Sequence, residues 1–545
     1  MKVNFYADYI FFNGTIITVN RKNEICEAVA TRGKKIIYVG DADAVKDFQG
    51  PDTKMIDLRG KCALPGFIDG HLHIYSKCLR EGGIIVDTSA AVASTIVEIK
   101  TILERLTKEK RRGEPICLWG YDQNKLKERR HLTRQDLDEA APDHPVIAMR
   151  VCGHIGIVNS EALLLAGIDE HTEFNSPDEV GFDDDGKLNG MFKDSSIDLF
   201  TSKFSFSTET YYSTFENVSR FLLKSGITGI HEMGGAEINC LQAMQKSAAD
   251  GSFKPRIYLT YSNISSKENT QNSADYLIKY GPRSGIGDEH FKMGPIKFML
   301  DGSTSGPSCY TKEPYCHDPS LKGIQSWKDQ EELNAYVLKA HQAGFQICAH
   351  AVGDAAVDQL VTAYEYALEH EPKENHRFRI EHCGITSPEL IERIKKIDAV
   401  VVSNPSFLTI NGADYNTIYG DRTERFFASK TYEENGIVEG FGSDYPVSMT
   451  NPLHAIYGAV TRKDIAANTV CGGSQKISVI NAIRCHTYNN AYASFNEKSV
   501  GSLEVGKLAD IVVLSANILD CPVEEIKDIT IEKTMIDGIV EYSAG

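Results

Sequence analysis

Short apolar runs separated by turn residues fill both ends of the chain. The runs are Ile10–Phe12 and Thr15–Val19 near the start, and Ala509–Leu514 and Lys533–Val540 near the end. Asn13-Gly14 lies between the first two runs, and Asn-Gly between alternating apolar segments favours an antiparallel hairpin. The pattern therefore predicts a small β-sandwich domain that is formed by both chain termini, residues 1–62 and 501–545.

The long middle of the chain alternates strand-like apolar runs with helical segments, which is typical of parallel βα units. Eight such runs can be placed: Ala63–Asp69, Gly226–Glu232, Pro255–Tyr261, Pro295–Leu300, Gln346–His350, Arg377–Cys383, Ala399–Ser403 and Val438–Ser443. Eight units predict an α/β fold, a TIM-like (β/α)8 barrel over residues 63–500. Active sites of such barrels lie at the carboxyl ends of the strands.

The connection between the first two predicted strands is far longer than an ordinary βα loop. Within it, Thr95-Ile96-Val97-Glu98 has the pattern of a capping box that begins a helix. The apolar face of that helix would contain Ile96, Ile99, Ile102, Leu103 and Leu106. We therefore predict an inserted lid subdomain at about residues 76–205, lying over the barrel mouth.

Charge and composition narrow the class of protein. Lys and Arg number 58 against 75 for Asp and Glu, a net charge of −17, and no concentrated basic stripe suggests nucleic acid. The thirteen cysteines are odd in number and lack close pairs, which favours a reducing compartment. The N-terminus lacks a signal pattern and no run of eighteen apolar residues occurs. We expect a cytoplasmic protein that acts on a small molecule, without nucleic-acid or membrane partners.

Polar residues that suit a metal ion follow several predicted strands. His71 and His73 are two positions apart and would project together if the first strand continues. His350, His382 and Asp444 come at the ends of the fifth, sixth and eighth strands. A buried histidine bonded to a carbonyl, or an aspartate capping a helix, would explain each alone. Together at one barrel rim they predict a metal-assisted hydrolase, because imidazoles bind Zn²⁺ and a carboxylate can take a proton from water.

The segment Pro65–His73 resembles the opening signature of the amidohydrolase superfamily. Other segments resemble its branch of N-substituted formamide deformylases and related long-chain amidohydrolases. They occur in order along nearly the whole chain: Asn159–Leu163, Lys297–Ser303, His350–Asp354, Arg379–His382, Gly442–Val447 and Gly501–Asp510.

The resemblance implies a ligand set and a cofactor. His71 and His73 would bind one metal ion, His350 and His382 would bind a second ion or share the first, and Asp444 would be the general acid/base. The ions would be one or two Zn²⁺, with Mn²⁺ and Fe²⁺ as alternatives. Barrels of this kind are often dimers, so a homodimer is expected.

Lys297, at the end of predicted strand four, matches a position where such enzymes can carry a carboxylated lysine. Addition of CO₂ would turn a cation beside a metal into an anionic bridge. The equal alternative is an ordinary lysine that pairs with Asp301 or another carboxylate.

Substrate contacts are predicted at Tyr121, Asp122, His154 and Asn404; the alternative is that the first three are structural residues of the lid. His231 and Glu232 would either line the pocket or fill the rim. Glu381 precedes His382, so its side chain should face away from the metal and be structural.

Two loops depart from the family pattern. Pro307-Ser308-Cys309 replaces an Arg-Thr-Ala run, and Asn404-Pro405 replaces a Gln-Pro pair. The substrates of relatives should therefore not be transferred to this chain.

The expected reaction is hydrolysis of a non-peptide C–N bond in an amide, an N-substituted formamide or a cyclic amide. A deaminase or imine-type hydrolase of a heterocycle is the alternative enzyme. The segment Ala351–Asp354 lacks the glutamate that many such deaminases have after this strand, which disfavours that alternative. A non-catalytic scaffold should have lost metal ligands, yet every expected ligand is present.

Overall fold

The computed structural model describes residues 6–81, 85–151, 155–174, 179–201, 203–204, 206–264 and 266–545. The chain forms two compact units. The first unit comprises Met1–Ile74, Phe215–Ala236 and Met244–Gly545, and the second comprises Tyr75–Thr214 and Glu237–Ala243. Among the described residues, no helix combines the length and the apolar character needed to cross a membrane.

The strands are numbered along the chain: β1 (Tyr9–Phe12), β2 (Thr15–Ile17), β3 (Ile25–Cys26), β4 (Ala28–Arg32), β5 (Lys35–Gly40), β6 (Lys54–Asp57), β7 (Cys62–Pro65), β8 (Phe67–Leu72), β9 (Ile85–Asp87), β10 (Ile116–Tyr121), β11 (Val146–Arg150), β12 (Ile155–Val158), β13 (Val180–Phe182), β14 (Leu188–Lys193), β15 (Ile227–Glu232), β16 (Arg256–Leu259), β17 (Phe291–Met293), β18 (Ile296–Met299), β19 (Ile347–Ala351), β20 (Arg379–His382), β21 (Val400–Ser403), β22 (Glu439–Phe441), β23 (Ile511–Leu514), β24 (Ile531–Ile536) and β25 (Ile539–Ser543).

The α-helices are numbered in the same way: α1 (Tyr75–Glu81), α2 (Ile96–Glu109), α3 (Arg134–Ala140), α4 (Ser160–Ala166), α5 (Asp198–Thr201), α6 (Thr208–Tyr212), α7 (Phe215–Lys224), α8 (Ile238–Asp250), α9 (Lys267–Tyr280), α10 (Gln330–Gln342), α11 (Asp354–His370), α12 (Pro388–Lys396), α13 (Leu408–Tyr419), α14 (Ser429–Asn435), α15 (Pro452–Thr461), α16 (Val479–Cys485) and α17 (Tyr488–Ala493).

Both chain ends contribute to two sheets in the first unit. One sheet has the order β5-β4-β1-β6, and the other has the order β25-β24-β23-β7-β2-β3. Phe11 and Val29 of the first sheet share an apolar cluster with Ala63 and Val513 of the second. N-terminal and C-terminal strands therefore pair directly, as predicted.

The prediction of a hairpin at Asn13-Gly14 is wrong. β1 pairs with β4 and β6, whereas β2 pairs with β3 and β7 in the other sheet. Asn13 has φ +57°, and the turn carries the chain from one sheet to the other. A Cβ on Gly14 would lie 2.4 Å from the Lys61 carbonyl oxygen, so close packing requires glycine here. A glycine required by packing leaves the same sequence signal as a hairpin glycine.

All eight predicted barrel strands are present, as β8, β15, β16 and β18–β22, with the short β17 in addition. They form two parallel arcs, β17-β16-β15-β8 and β18-β19-β20-β21-β22. The arcs meet at one side where Lys297 N of β18 donates to Ser262 Oγ, just after β16, at 3.0 Å, and at the other where Asp444 N donates to His71 O at 2.6 Å. The parallel strands thus close into a TIM-like barrel.

The first predicted strand is in fact two strands that change direction at Gly66. Cys62–Pro65 (β7) belongs to the terminal sheet and Phe67–Leu72 (β8) to the barrel, so the predicted boundary between residues 62 and 63 falls inside β7. A Cβ on Gly66 would lie 2.2 Å from Thr228 Oγ1, which explains the glycine at the break. His71 is consequently inside β8, and His73 follows it.

The second unit contains a six-stranded sheet, β13-β14-β12-β11-β10-β9. The predicted capping box is confirmed: Thr95 Oγ1 accepts from Glu98 N at 3.1 Å, and Glu98 Oε2 accepts from Thr95 N at 3.2 Å. Ile96, Ile99, Leu103 and Leu106 of α2 are buried in an apolar cluster of this unit. The placement of this unit as a lid stays a prediction.

A buried carboxyl in β22 makes stability depend on pH. Glu439 Oε1 accepts from Ser403 Oγ at 2.6 Å and from Ser429 Oγ at 3.0 Å. Burial raises the pKa of Glu439 to about 7, although both hydroxyl bonds lower it. Since this folded-state pKa lies above the unfolded value, the native state holds the extra proton between about pH 4.3 and 7. The contribution of this carboxyl to stability therefore falls as pH rises through that window.

We expect Glu439→Gln to remove this pH dependence. The free energy of unfolding of the variant minus that of the wild type should be about 3 kcal/mol larger at pH 8 than at pH 5, because only the wild type loses stability over this range. Urea denaturation of both proteins at the two pH values measures this difference. An equal difference at both pH values would contradict the assignment of a raised pKa.

Candidate metal centre

The four predicted histidines come together at one end of the barrel. His71 lies in β8 one residue before its end, His73 follows that strand, His350 lies in β19 and His382 ends β20. Ring centroids are 5.5 Å apart for His71 and His73, 4.7 Å for His71 and His382, and 4.4 Å for His350 and His382. The structure thus brings these four side chains together, and their role as metal ligands stays a prediction.

One ring nitrogen of each histidine is hydrogen-bonded to an oxygen atom. The pairs are His71 Nδ1 with Glu381 Oε2 (2.6 Å), His73 Nδ1 with Gly234 O (2.8 Å), His382 Nδ1 with Asn404 Oδ1 (2.7 Å) and His350 Nε2 with Gly302 O (3.0 Å). These oxygens accept, so the bonded nitrogen carries the hydrogen and the other nitrogen keeps its lone pair. Each imidazole is therefore prepared to bind a metal through one defined atom.

Asp444 faces the Nε2 atoms of His71 and His73. Its Oδ1 lies 3.5 Å from His71 Nε2 and 3.4 Å from His73 Nε2. One ligand atom from each of the three residues lies within 4.8 Å of the others. Imidazole nitrogens and a carboxylate oxygen are the donors that Zn²⁺ and related ions accept, so the residues fit such an ion.

The ionisation states suit metal binding. Burial lowers the pKa of His71 and of His350 well below the usual value, so both rings are neutral. For Asp444, burial alone would raise the pKa, but the bond to His73 and the neighbouring imidazoles outweigh it and hold the pKa far below its usual range. Neutral imidazoles and an ionised carboxylate are the metal-binding forms.

Lys297 lies inside β18 rather than at its end, where the sequence placed it. The side chain is buried, and its Nζ is 3.2 Å from His71 Nε2. Within the described part of the chain, no carboxylate lies within 4.0 Å of this Nζ. Burial lowers the pKa of Lys297. The predicted alternative partner, Asp301, instead accepts from Val352 N at 3.0 Å and Gly353 N at 2.8 Å.

The prediction that Glu381 faces away from the candidate metal centre is wrong. Its carboxylate contacts the ring of His71. The prediction assumed that side chains alternate along an extended strand. His382, however, has φ +70°, which breaks the alternation. Consequently both Glu381 and His382 approach His71. Arg379 and Glu381 were a usable signal, because charged residues in a buried strand need partners.

Two further rim residues have structural partners. Asn404 is buried, with its Oδ1 bonded to His382 and its Nδ2 donating to Gly442 O at 2.8 Å; its predicted substrate contact stays a prediction. His231 is buried in β15, and its Nδ1 lies 3.0 Å from Arg379 Nη1.

The remaining predicted substrate contacts belong to the second unit. Tyr121 is buried and its hydroxyl lies 3.0 Å from His131 Nδ1. Asp122 forms an ion pair of 3.2 Å with Arg150. His154 lies outside the described residues. These contacts do not test a role in substrate binding.

Sequence reasoning gave no role to Asp69. This buried carboxylate accepts from Ser443 N at 2.9 Å and from His71 N at 3.3 Å, and burial raises its pKa to about 7. It joins the first and last strands next to the site. Its position inside an otherwise apolar strand was the available signal.

The hydrogen bonds predict which atom of each histidine binds the ion. We expect a crystal structure of the protein grown with Zn²⁺ to show Nε2 of His71, His73 and His382 toward the metal, but Nδ1 of His350. The carbonyl of Gly302 holds the Nε2 hydrogen of His350, which leaves only Nδ1 available. Metal density at Nε2 of His350 would contradict the tautomer inferred here.

Comparison with known proteins identifies the family. The model of the amidohydrolase family matches residues 54–542. YtcJ of Bacillus subtilis, which is provisionally designated an amidohydrolase, is 28% identical over 98% of this chain and 99% of its own. The N-substituted formamide deformylase of Arthrobacter pascens is 26% identical over 98% of each chain. The solved structure of an uncharacterized metal-dependent hydrolase from Pyrococcus horikoshii has the same fold, with a TM-score of 0.77 and 24% identity over 95% of this chain and 99% of that one. The chain therefore belongs to the amidohydrolase family and is a hydrolase that acts on carbon–nitrogen bonds.

Proposed function

We propose that this protein hydrolyses a non-peptide C–N bond of a small molecule, in an amide, an N-substituted formamide or a cyclic amide. The observation that carries the proposal is the convergence of four histidines around an ionised Asp444, with one ring nitrogen of each histidine held by a protein oxygen. Similarity to an N-substituted formamide deformylase supports this class of bond.

The metal ligands are His71, His73, His350 and His382, with Zn²⁺ as the preferred ion and Mn²⁺ or Fe²⁺ as alternatives. A bound divalent ion would lower the pKa of water and polarise the substrate carbonyl. The neutral imidazoles of His71 and His350 hold such an ion without having to lose a proton first.

Asp444 moves the proton. Its ionised carboxylate takes one proton from water while the water oxygen attacks the carbonyl carbon. The carboxyl group then gives that proton to the leaving nitrogen as the C–N bond breaks. The products are a carboxylic acid and an amine, and Asp444 returns to its ionised form.

Lys297 is proposed to carry a carboxylate. Its lowered pKa favours the neutral amine, which adds to the carbon of CO₂ and loses one proton to form a carbamate. The carbamate would replace a donor with two acceptor oxygens beside His71. Its burial and the absence of a carboxylate within 4.0 Å among the described residues support this role better than a structural ion pair.

The proposal extends to the location and the assembly of the protein. The twelve described cysteines are all free thiols, which supports a reducing compartment such as the cytoplasm. A homodimer is proposed from the family resemblance, and light scattering of the purified protein would measure it.

The metal content should report the state of Lys297. We expect nearly two ions per chain by plasma mass spectrometry, and one or fewer in Lys297→Met, because the bridging carbamate is lost. Lys292→Met, a control at a half-buried lysine that bonds to Asn496, should keep the wild-type content. A content of one ion per chain in the wild type would contradict the bridging carbamate at Lys297 but would leave the proposed hydrolase function standing. A wild-type protein that binds no ion after addition of zinc or manganese would refute the proposed function.

Asp444→Asn should separate metal binding from turnover. A panel of N-substituted formamides, other amides and cyclic amides would first identify a substrate by amine release. On that substrate, the variant should lose about 10²- to 10⁴-fold in kcat, because an amide cannot accept the proton, and should keep its metal content. Asp528→Asn, at an exposed aspartate paired with Lys527, is the control. Activity close to normal in Asp444→Asn would overturn the general acid/base assignment.

A further inference from the structure

A buried ion pair lies directly behind His71. Arg379 and Glu381 are both fully buried in β20. Arg379 Nε donates to Glu381 Oε1 at 2.7 Å, and Nη2 donates to Oε2 at 3.0 Å. Both carboxylate oxygens are thus fixed, and Oε2 is also the atom that lies 2.6 Å from His71 Nδ1.

The guanidinium is itself anchored to two other barrel strands. Its Nη2 donates to Gly70 O of β8 at 2.8 Å, and its Nη1 lies 3.0 Å from His231 Nδ1 of β15. Arg379 therefore contacts the backbone just before His71 while it orients the carboxylate that holds the His71 ring.

Fold stability alone does not account for this ion pair. Removing two charges from water is costly, and apolar residues of similar volume often replace a buried ion pair without loss of stability. The contacts of the His71 ring define its two nitrogens separately. Nδ1 faces Glu381, whereas Nε2 lies 3.2 Å from Lys297 Nζ, where a lysine N–H can donate to the lone pair of Nε2. Both contacts are compatible with the same tautomer, with hydrogen on Nδ1.

We propose that Glu381 and Arg379 are positioning residues of the metal centre. Glu381 holds His71 in the Nδ1–H tautomer with Nε2 turned toward the ion, and Arg379 keeps the carboxylate from rotating. This inference rests on the proposed function, since it requires that His71 bind a metal. Neither residue needs to touch the ion or the substrate.

Two variants test the proposal. In the wild type, one oxygen of Glu381 accepts from Arg379 Nε, and the other serves both Arg379 Nη2 and His71 Nδ1. Glu381→Gln keeps only one of these oxygens. Its NH₂ group therefore faces an N–H donor of Arg379 in either orientation of the amide. The double variant Arg379→Met/Glu381→Leu removes the ion pair and the acceptor together while keeping the site apolar and filled. The second variant covers the case in which the first does not fold.

The readout is the Kd for Zn²⁺, measured by competition with a chromogenic chelator, together with the urea midpoint of the metal-free protein. Loss of an oriented acceptor behind a metal-binding histidine typically weakens metal affinity about 10- to 100-fold. We expect a loss of this size in both variants, with little change in the midpoint of the double variant. Glu439→Gln, which changes a buried carboxylate that does not contact the histidines, should leave the Kd unchanged.

The outcomes separate this inference from the proposed function. A Kd within twofold of the wild type in Glu381→Gln or in the double variant would overturn the positioning role while the hydrolase stands. An equal loss of affinity in Glu439→Gln would also overturn it, because the effect would then be one of general stability. A wild-type protein that binds no Zn²⁺ would refute both.

Discussion

The closure of the barrel between β8 and β22 is the constraint on which the candidate site depends. Asn490 joins the two strands from below, with Nδ2 donating to Ile68 O at 2.6 Å and to Phe441 O at 2.7 Å. Above it, the amide of Asp444 donates to His71 O. A Cβ on Gly442 would lie 2.5 Å from the Cβ of His71, so only glycine allows this approach. The same contacts that close the barrel place Asp444 beside His71.

Two site residues adopt a backbone conformation that is unfavourable for side chains other than glycine. His382 has φ +70° and Asp444 has φ +52°, and each such residue costs about 1–3 kcal/mol unless the surroundings hold it. Here the surroundings do: Asn404 binds the ring of His382, and the carbonyl of His71 binds the amide of Asp444. The gain is geometric, because both side chains turn toward His71 and not away from it.

This local backbone geometry also explains what the sequence could and could not predict. The strands were predictable because parallel strands buried on both faces are continuous apolar runs, such as Val400–Ser403. The grouping of His71, His350 and Asp444 was predictable because polar residues at strand ends share one rim. The role of Glu381 was not, because an extended backbone was assumed through His382. The acceptors Gly234 O and Gly302 O are carbonyls, which every residue carries, so no sequence pattern marks them.

Charge balance links the state of Lys297 to the number of ions that the centre can hold. Arg379 neutralises Glu381, and Asp444 is the carboxylate that faces Nε2 of His71 and of His73 among the described residues. Two divalent ions would place four positive charges against this single negative charge in a buried site, where uncompensated charge is costly. Addition of CO₂ to Lys297 would supply a second negative charge and remove a competing donor at His71 Nε2. A centre with an unmodified lysine should therefore favour one ion, and a carboxylated lysine should favour two.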